Sequence, residues 1–357
     1  GSELMSQLIN FSNCPINVLS SYGGSDRKFG ILYQGQPYMI KFAEKSHKLN
    51  ELATSSINNC TSEYLGSSIA ASINIPVHET LLGYYAGELV VACKDFCGFE
   101  YLCQEFSQFM RMQYDSADIG KLPKLEQIYE VYNNNPILSN LKDGAIQRYW
   151  DTFIVDVLLA NFDRHKGNWA FLVNKSSGEV SLAPTYDYGS TLYPAIGDDG
   201  VVNILNDDKE ILKRIYVFPN AALLINNIKA NYYDILTSGY DTNCSDAIKR
   251  IVPRIDMERI NLIIDETPIV SKLRKNFYKI MLNARKKLLL DKSLQVVNAK
   301  QFNSEALDRL KNGKPYTEEL FEQDYARGRF NEDITIIQEL RYKFHTDCDV
   351  KHLDAFK

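Results

Sequence analysis

The chain has 357 residues, of which 45% are hydrophobic and 24% are charged, and its formal net charge is −5. At roughly 150 residues per domain, this length predicts two domains or two lobes with a substantial apolar core. No stretch approaches the roughly 18 uninterrupted apolar residues of a membrane helix, so no membrane partner is expected. The acidic balance disfavours direct nucleic-acid binding, which requires a basic surface.

The seven cysteines are scattered and form no disulfide-like framework, which favours a reducing cytoplasm. Three of them lie close together, at Cys93, Cys97 and Cys103. Their intervals do not repeat a C-x-x-C pair, so plain buried thiols are favoured over a zinc site. A second cluster of metal-ligating residue types lies near the end of the chain, at His345, Cys348 and His352. It lacks an evident fourth ligand, and zinc is not expected there either.

The first hundred residues alternate short strand-like runs with turns. Residues 29–33 and 37–42 flank Gln34-Gly35-Gln36 and predict a β-hairpin. Apolar residues at helical intervals predict a helix over residues 62–73. Two more strands are predicted over residues 79–83 and 88–96. The pattern indicates a small sheet with one helix, and we assign residues 1–98 to an N-terminal lobe.

From about residue 106 the pattern becomes helical. Residues 149–160 carry an i, i+3, i+4, i+7 apolar stripe, which predicts a helix against a core. Two strand-like runs follow at 169–174 and 179–183, and helical patterns cover much of 207–291. We assign residues 99–292 to a helical lobe. The more polar remainder, 293–357, is predicted to be an appendage, either helical, with one helix at 333–344, or partly disordered.

The most informative stretch joins the apolar helix to the second pair of strands. Phosphoryl transfer requires a carboxylate that orients or deprotonates a hydroxyl, together with oxygen ligands for Mg²⁺. Asp163 and Asn168 are five positions apart, the interval between the base and the metal-binding asparagine of the protein-kinase catalytic loop. Asp187 opens an aspartate-tyrosine-glycine turn that offers a second metal ligand. The alternative is a polar loop in which Asp163 caps a turn and His165 packs.

The N-terminal lobe offers phosphate-binding residues. Glycines in the segment after Ser21 allow backbone amides to approach phosphate oxygens, although a plain turn explains them equally well. Lys41 lies inside an apolar strand, where it either reaches solvent at an edge or grips ATP phosphates. Glu63, on the following helix, is its expected ion-pair partner unless it is simply exposed.

These residues resemble a known family. Asn161-Phe162-Asp163-Arg164-His165-x-x-Asn168 is similar to the N-x-D-R-H-x-x-N signature of HipA-like serine/threonine kinases. Ser21-x-x-Gly24-x-x-x-Lys28 is similar to their phosphate loop. Further stretches, among them Tyr38-Met39-Ile40-Lys41-Phe42, resemble the CtkA-type branch of pro-inflammatory kinases. The resemblance covers roughly residues 15–290, and it implies an α+β, bilobal protein-kinase-like fold with a small β-rich N-lobe and a larger helical C-lobe.

The resemblance also implies roles. Asp163 would be the catalytic base, Asn168 and Asp187 the Mg²⁺ ligands, and Lys41 the phosphate-holding lysine. His165 and Lys166 would lie near the phosphates. The phosphate loop would comprise Gly23, Gly24, Ser25, Asp26, Arg27 and Lys28. The hinge beside adenine would comprise Ala92, Cys93, Lys94 and Asp95. Ser21 and Ser25 would be sites of inactivating autophosphorylation.

The predicted function is therefore an ATP-Mg²⁺-dependent serine/threonine protein kinase that phosphorylates itself. Its partners would be a protein substrate with a serine or threonine acceptor and an antitoxin. Three alternatives remain open: a small-molecule kinase, a toxin-antitoxin scaffold that binds a repressor partner, and a nucleotide-binding pseudokinase. The expected location is the cytoplasm, with secretion into a host cell as an alternative implied by the CtkA-type resemblance.

Overall fold

The computed structural model describes residues 8–18, 28–43 and 50–345, with the side chains of 50–57 excepted. The chain divides into two compact units. The first comprises Gly1–Gln104, Trp169–Gly197 and Glu258–Ser271. The second comprises the remaining segments, Glu105–Asn168, Asp198–Met257 and Lys272–Lys357.

The first unit contains a five-stranded sheet. Its strands are β1 (Ile9–Asn10), β2 (Lys28–Tyr33), β3 (Gln36–Phe42), β4 (Thr80–Tyr85) and β5 (Glu88–Lys94). They lie in the order β1-β4-β5-β3-β2, with β1 and β4 parallel and the other neighbours antiparallel. The strand expected to carry the lysine, β3, is therefore paired on both sides.

Both hairpins of this sheet turn through two residues. Gln34 and Gly35 have φ angles of 49° and 76°, and Ala86 and Gly87 have 51° and 79°. Positive φ at both central positions matches the right-handed strand twist of a tight hairpin. The two predicted strand pairs are confirmed, but the first turn is one residue shorter than predicted, because Gln36 already pairs with Tyr33.

Helix α1, Asn50–Ser72, packs against β4 and β5. Val91 and Cys93 of β5 cluster with Cys60 of this helix. Ala92 belongs to the apolar cluster on the opposite face of the sheet. Alternate residues of β5 are thus buried on opposite faces. The helix begins at residue 50, 12 residues before the predicted start at residue 62. The sequence did not predict this part of the helix, because its first turns carry polar residues without helical apolar spacing.

A second, three-stranded sheet has the order β6-β7-β8. Its strands are β6 (Tyr101–Glu105), β7 (Ala170–Asn174) and β8 (Val180–Leu182). The β7–β8 pair confirms the hairpin predicted after the apolar helix. This hairpin leads directly to Asp187.

The second unit is mainly helical. Its helix α4, Lys142–Leu159, buries a continuous run that includes the fully buried Trp150. It ends at Ala160, whose φ of 54° is left-handed. The remaining helices of the described chain are α2 (Phe106–Gln113), α3 (Leu125–Asn134), α5 (Asp198–Leu205), α6 (Asp208–Tyr216), α7 (Tyr232–Thr237), α8 (Thr242–Ile251), α9 (Met257–Glu266, almost wholly in the first unit), α10 (Lys272–Arg285), α11 (Lys292–Ala299), α12 (Ser304–Lys311), α13 (Glu318–Ala326) and α14 (Asn331–His345).

The second unit also contains a short two-stranded ribbon and a π-helical segment. Strands β9 (Leu224–Ile225) and β10 (Ile228–Lys229) form a two-stranded ribbon. A π-helical segment, Lys286–Asp291, joins α10 to α11. In the part of the chain that the structure describes, none of the helices is both long and apolar enough to cross a membrane.

Candidate active site

The strand lysine and the helix glutamate come together in the first unit. Lys41 lies on β3, opposite Val91 of β5. Its Nζ lies 3.7 Å from Oε1 of Glu63, whose side chain is 2% exposed. Desolvation lowers the pKa of Lys41, but Glu63 and Asp187 outweigh it and raise the pKa above its ordinary value. The ammonium therefore stays charged, as a phosphate-binding lysine requires.

Glu63 also holds the aspartate-tyrosine-glycine turn. Its Oε2 accepts a hydrogen bond from the backbone N–H of Tyr188, the residue after Asp187. Asp187 has a left-handed φ of 62°. Tyr188 is fully buried, and its hydroxyl donates to Oγ1 of Thr185 at 2.7 Å. One buried carboxylate thus orients both Lys41 and the turn that carries Asp187.

A buried group of possible metal ligands adjoins this ion pair. The ligand atoms of Glu63, His78 and Cys93 lie within 4.8 Å of one another, and no other such group of three occurs in the described ranges. Nε2 of His78 lies 3.1 Å from Oγ of Ser67. The nearby Lys41 ammonium repels a dication, so we assign the group a packing role. Cys97 and Cys103 are not members of this group.

The predicted hinge lies at the end of β5. Ala92, Cys93 and Lys94 pair with Ile40, Met39 and Tyr38 of β3. The carboxylate of Asp95 accepts hydrogen bonds from the backbone of Cys97 and Gly98 and so caps the following turn. Lys28 is the first residue of β2 and pairs with Lys41. The other predicted phosphate-loop and autophosphorylation residues lie outside the described residues: Ser21, Gly23, Gly24, Ser25, Asp26 and Arg27.

In the second unit, a buried ion pair fastens the predicted catalytic loop, residues 161–168, to α4. Asp156 accepts from Nε of Arg164 at 3.0 Å and from a terminal nitrogen of the same guanidinium at 3.2 Å. It also accepts from the side-chain amide of Asn161 at 3.0 Å. Arg164 donates in turn to the backbone oxygen of Asn168 at 3.0 Å. These residues are 2–7% exposed, so water does not compete with the contacts.

Asp163 and Asn168 lie at the two ends of one tight loop. The side-chain amide of Asn168 donates to the backbone oxygen of Asp163. The backbone N–H of Asp163 donates to Oδ1 of Asn161 at 3.1 Å. Nδ2 of Asn168 is the donor in this hydrogen bond, so its Oδ1 is the atom available to act as an oxygen ligand.

His165 and Lys166 have defined backbone partners. Nδ1 of His165 accepts from the backbone N–H of Gly167 at 3.0 Å, which places the imidazole proton on Nε2. Nζ of Lys166 donates to the backbone oxygens of Gly120 and Lys121, both at 2.8 Å. Desolvation and the nearby Arg111 lower the pKa of Lys166. Lys166 thus ties the 120–121 loop to the loop that carries Asp163.

Sequence reasoning assigned no role to several of these residues. Asp156 interrupts an apolar helical stripe, and a charge at a core position signals a buried partner. The hydrogen bond between Glu63 and the N–H of Tyr188 joins residues 125 positions apart, and no local sequence pattern predicts it. The first unit carries the charged Lys41 and the carboxylate of Asp187, and the second carries the carboxylate of Asp163 and the amide oxygen of Asn168. These are the hard donors and the cation that bind Mg²⁺ and phosphate.

Comparison with known proteins defines the family to which the chain belongs. The HipA-like C-terminal domain model matches residues 20–256, so the chain belongs to this family. It is 37% identical over 319 residues to the serine/threonine-protein kinase CtkA of Helicobacter pylori strain J99, covering 87% of this chain and 97% of that protein. The predicted resemblance is confirmed.

Solved structures define the fold. The crystal structure of the H. pylori proinflammatory kinase CtkA matches with a TM-score of 0.78 and 37% identity, over 83% of this chain and 99% of that one. A HipA–HipB toxin-antitoxin complex with operator DNA from Shewanella oneidensis MR-1 matches with a TM-score of 0.52 at 15% identity, over 80% and 67% of the two chains. The predicted kinase-like fold, with a β-rich N-terminal region and a mostly helical remainder, is confirmed.

Proposed function

We infer that this chain is a serine/threonine protein kinase, and we propose that it uses ATP-Mg²⁺ as the phosphoryl donor. Family membership and the 37% identity to CtkA over most of the chain support the kinase assignment. The observation that carries the chemistry is the catalytic loop itself. Asp156 and Arg164 hold it through a buried ion pair, and the side-chain amide of Asn168 donates to the backbone oxygen of Asp163.

We propose the following roles for the residues. Asp163 orients the acceptor hydroxyl and accepts its proton. Lys41, kept charged by Glu63, holds ATP phosphates. Asn168 and Asp187 supply amide and carboxylate oxygens, the ligand types that Mg²⁺ prefers, and a bound Mg²⁺ would neutralise phosphate charge. Nε2–H of His165 donates toward a phosphate oxygen, since Nδ1 is occupied as an acceptor.

The proposed hinge and phosphate loop complete the nucleotide site. Backbone groups of residues 92–95 would contact adenine, and those of residues 23–28 would contact the phosphates. We further propose autophosphorylation at Ser21 or Ser25. Peptide mapping after incubation with ATP-Mg²⁺ tests this directly, because phosphate found only at other residues would contradict it.

The central experiment measures phosphate gain by intact mass, with the chain itself and a generic protein as acceptors. The wild type should gain phosphate, and Asp163→Ala should lose activity by on the order of 100- to 10,000-fold, as expected for the loss of a general base. Asp187→Ala should lose activity and Mg²⁺ dependence. Asp246→Ala, which removes an exposed aspartate of α8, should behave as the wild type. Equal phosphate gain in wild type and Asp163→Ala would overturn the mechanism.

A further inference from the structure

Helix α7 lies in contact with both the loop that carries Asp163 and the last helices of the chain. It comprises only the six residues Tyr232–Thr237. Isolated helices shorter than about 12 residues are marginal in water, so the position of α7 depends on what packs against it. Its N-cap is Asn231, whose Oδ1 accepts from the backbone N–H of Asp234 at 3.1 Å. The helix and both of its partners belong to the second unit.

The first residue of α7 holds the start of the loop. The hydroxyl of Tyr232, which is 1% exposed, donates to the backbone oxygen of Asn161. Oδ1 of Asn161 in turn accepts from the backbone N–H of Asp163 at 3.1 Å. The guanidinium of Arg285 lies 5.5 Å from the centre of the Tyr232 ring, and its Nε donates to the oxygen of Val157 in α4 at 2.7 Å. A displacement of Tyr232 therefore reaches Asp163 through a single residue.

The C-terminal segment, residues 300–345, holds the rest of α7. Arg309 of α12 donates to both carboxylate oxygens of Asp234, at 2.9 Å and 2.7 Å. Asp234 is 1% exposed, so the ion pair is almost shielded from water. The backbone N–H of Asn303 donates to the oxygen of Thr237, the last residue of α7, at 2.9 Å. The segment thus fixes the helix at its third residue and at its end.

The two partners of this ion pair differ in their relation to the family. The HipA-like domain model matches residues 20–256, which include Asp234 but not Arg309. Removing one partner of a buried pair leaves an uncompensated charge, which is strongly destabilising. The matched part of the chain therefore depends on the C-terminal segment for the charge balance of α7.

We propose that the C-terminal segment positions the catalytic loop through α7, with Tyr232, Asp234 and Arg309 as positioning residues for phosphoryl transfer. The inference rests on the proposed role of Asp163. Loss of the ion pair shifts α7 and the loop carbonyl that Tyr232 holds, and Asp163 then leaves its place beside the acceptor hydroxyl. Small displacements of a catalytic group reduce turnover. ATP binding is retained, because Lys41, which is proposed to hold the phosphates, lies in the first unit.

The test measures kcat and KM for ATP with a generic protein as acceptor, per folded enzyme as determined by urea unfolding. Arg309→Gln and Tyr232→Phe, which removes only a hydroxyl, should each lower kcat by about tenfold and leave the KM for ATP within about twofold of wild type. Because both changes act through one helix, the double variant should lose about as much as either single variant, and not about 100-fold.

The matched control is Arg341→Gln in α14. Arg341 pairs with Asp208 of α6, and its side chain is 17% exposed, against 16% for Arg309. This variant should keep the wild-type kcat per folded enzyme. Where Arg309→Gln does not fold, Arg309→Lys replaces it, because lysine keeps the charge and loses the paired contact with Asp234.

Wild-type kcat in the folded Arg309 variant, or an equal loss in Arg341→Gln, would overturn the inference. A double variant whose loss is the product of the two single losses would also overturn it, because Tyr232 and Arg309 would then act independently. A raised KM for ATP with unchanged kcat would assign the effect to nucleotide binding and overturn it as well. Undiminished activity of Asp163→Ala would instead refute the proposed role of the loop, and that separate variant distinguishes the two failures.

Discussion

Asp156 is the buried carboxylate that fastens the proposed catalytic loop to the end of α4. It is 3% exposed and accepts from Arg164, which is 7% exposed, through two nitrogens. Replacing it by alanine leaves a buried guanidinium without its counter-charge. Breaking a buried pair in this way costs about 3–5 kcal/mol of unfolding free energy. The same change frees Asn168, whose backbone oxygen is held by Arg164.

The matched control is Asp151→Ala on the same helix. Asp151 also pairs with an arginine, Arg250, but that side chain is 27% exposed and retains part of its hydration. We expect its loss to cost about 1.5–3 kcal/mol. Urea unfolding compares the stabilities of the two variants with wild type. Phosphate transfer, measured where each variant is folded, should fall about 100-fold for Asp156→Ala only, because small displacements of catalytic groups have effects of that size.

Two results would refute the reasoning. A stability loss below about 1 kcal/mol for Asp156→Ala would mean that Arg164 finds other partners or water. Equal activity losses in the two variants would mean that the ion pair of Asp156 has no particular link to the catalytic loop. Either result would mean that the buried ion pair of Asp156 no longer supports the proposed mechanism.

Three further changes test other parts of the molecule. In Gly167→Ala, the new Cβ would lie 3.0 Å from Cε1 of His165, so we expect a loss of turnover of about 10-fold or more with the fold retained by circular dichroism; wild-type turnover would contradict it. In Gly66→Ala, the Cβ would lie 2.6 Å from Cβ of Tyr188, and overpacking should cost about 1–3 kcal/mol in urea unfolding. Burial, and then a neighbouring arginine, lower the pKa of His345 below 6.5. The unfolded chain then binds the proton first, so stability should fall below about pH 6.5 with a slope of up to about 1.4 kcal/mol per pH unit. His345→Gln should flatten that slope, and an unchanged slope would exclude His345 as its source.

Local patterns in the sequence determined much of the fold and the list of candidate residues. Period-2 runs with turn residues predicted the hairpins, and the apolar stripe predicted α4, because these periods follow directly from backbone geometry. The interval between Asp163 and Asn168 is equally local, since both lie in one loop. The polar first turns of α1 gave no apolar period, and that part of the helix was missed.

Only the tertiary structure revealed what holds those residues in place. Glu63 could be proposed as the partner of Lys41, but its bond to the N–H of Tyr188 spans 125 positions. Arg164 belongs to the family signature, yet its partner Asp156 lies on the preceding helix, inside an apolar stripe. Residue type and spacing encode the chemistry that a loop can offer, whereas the burial and the partners that tune it arise only when distant segments pack.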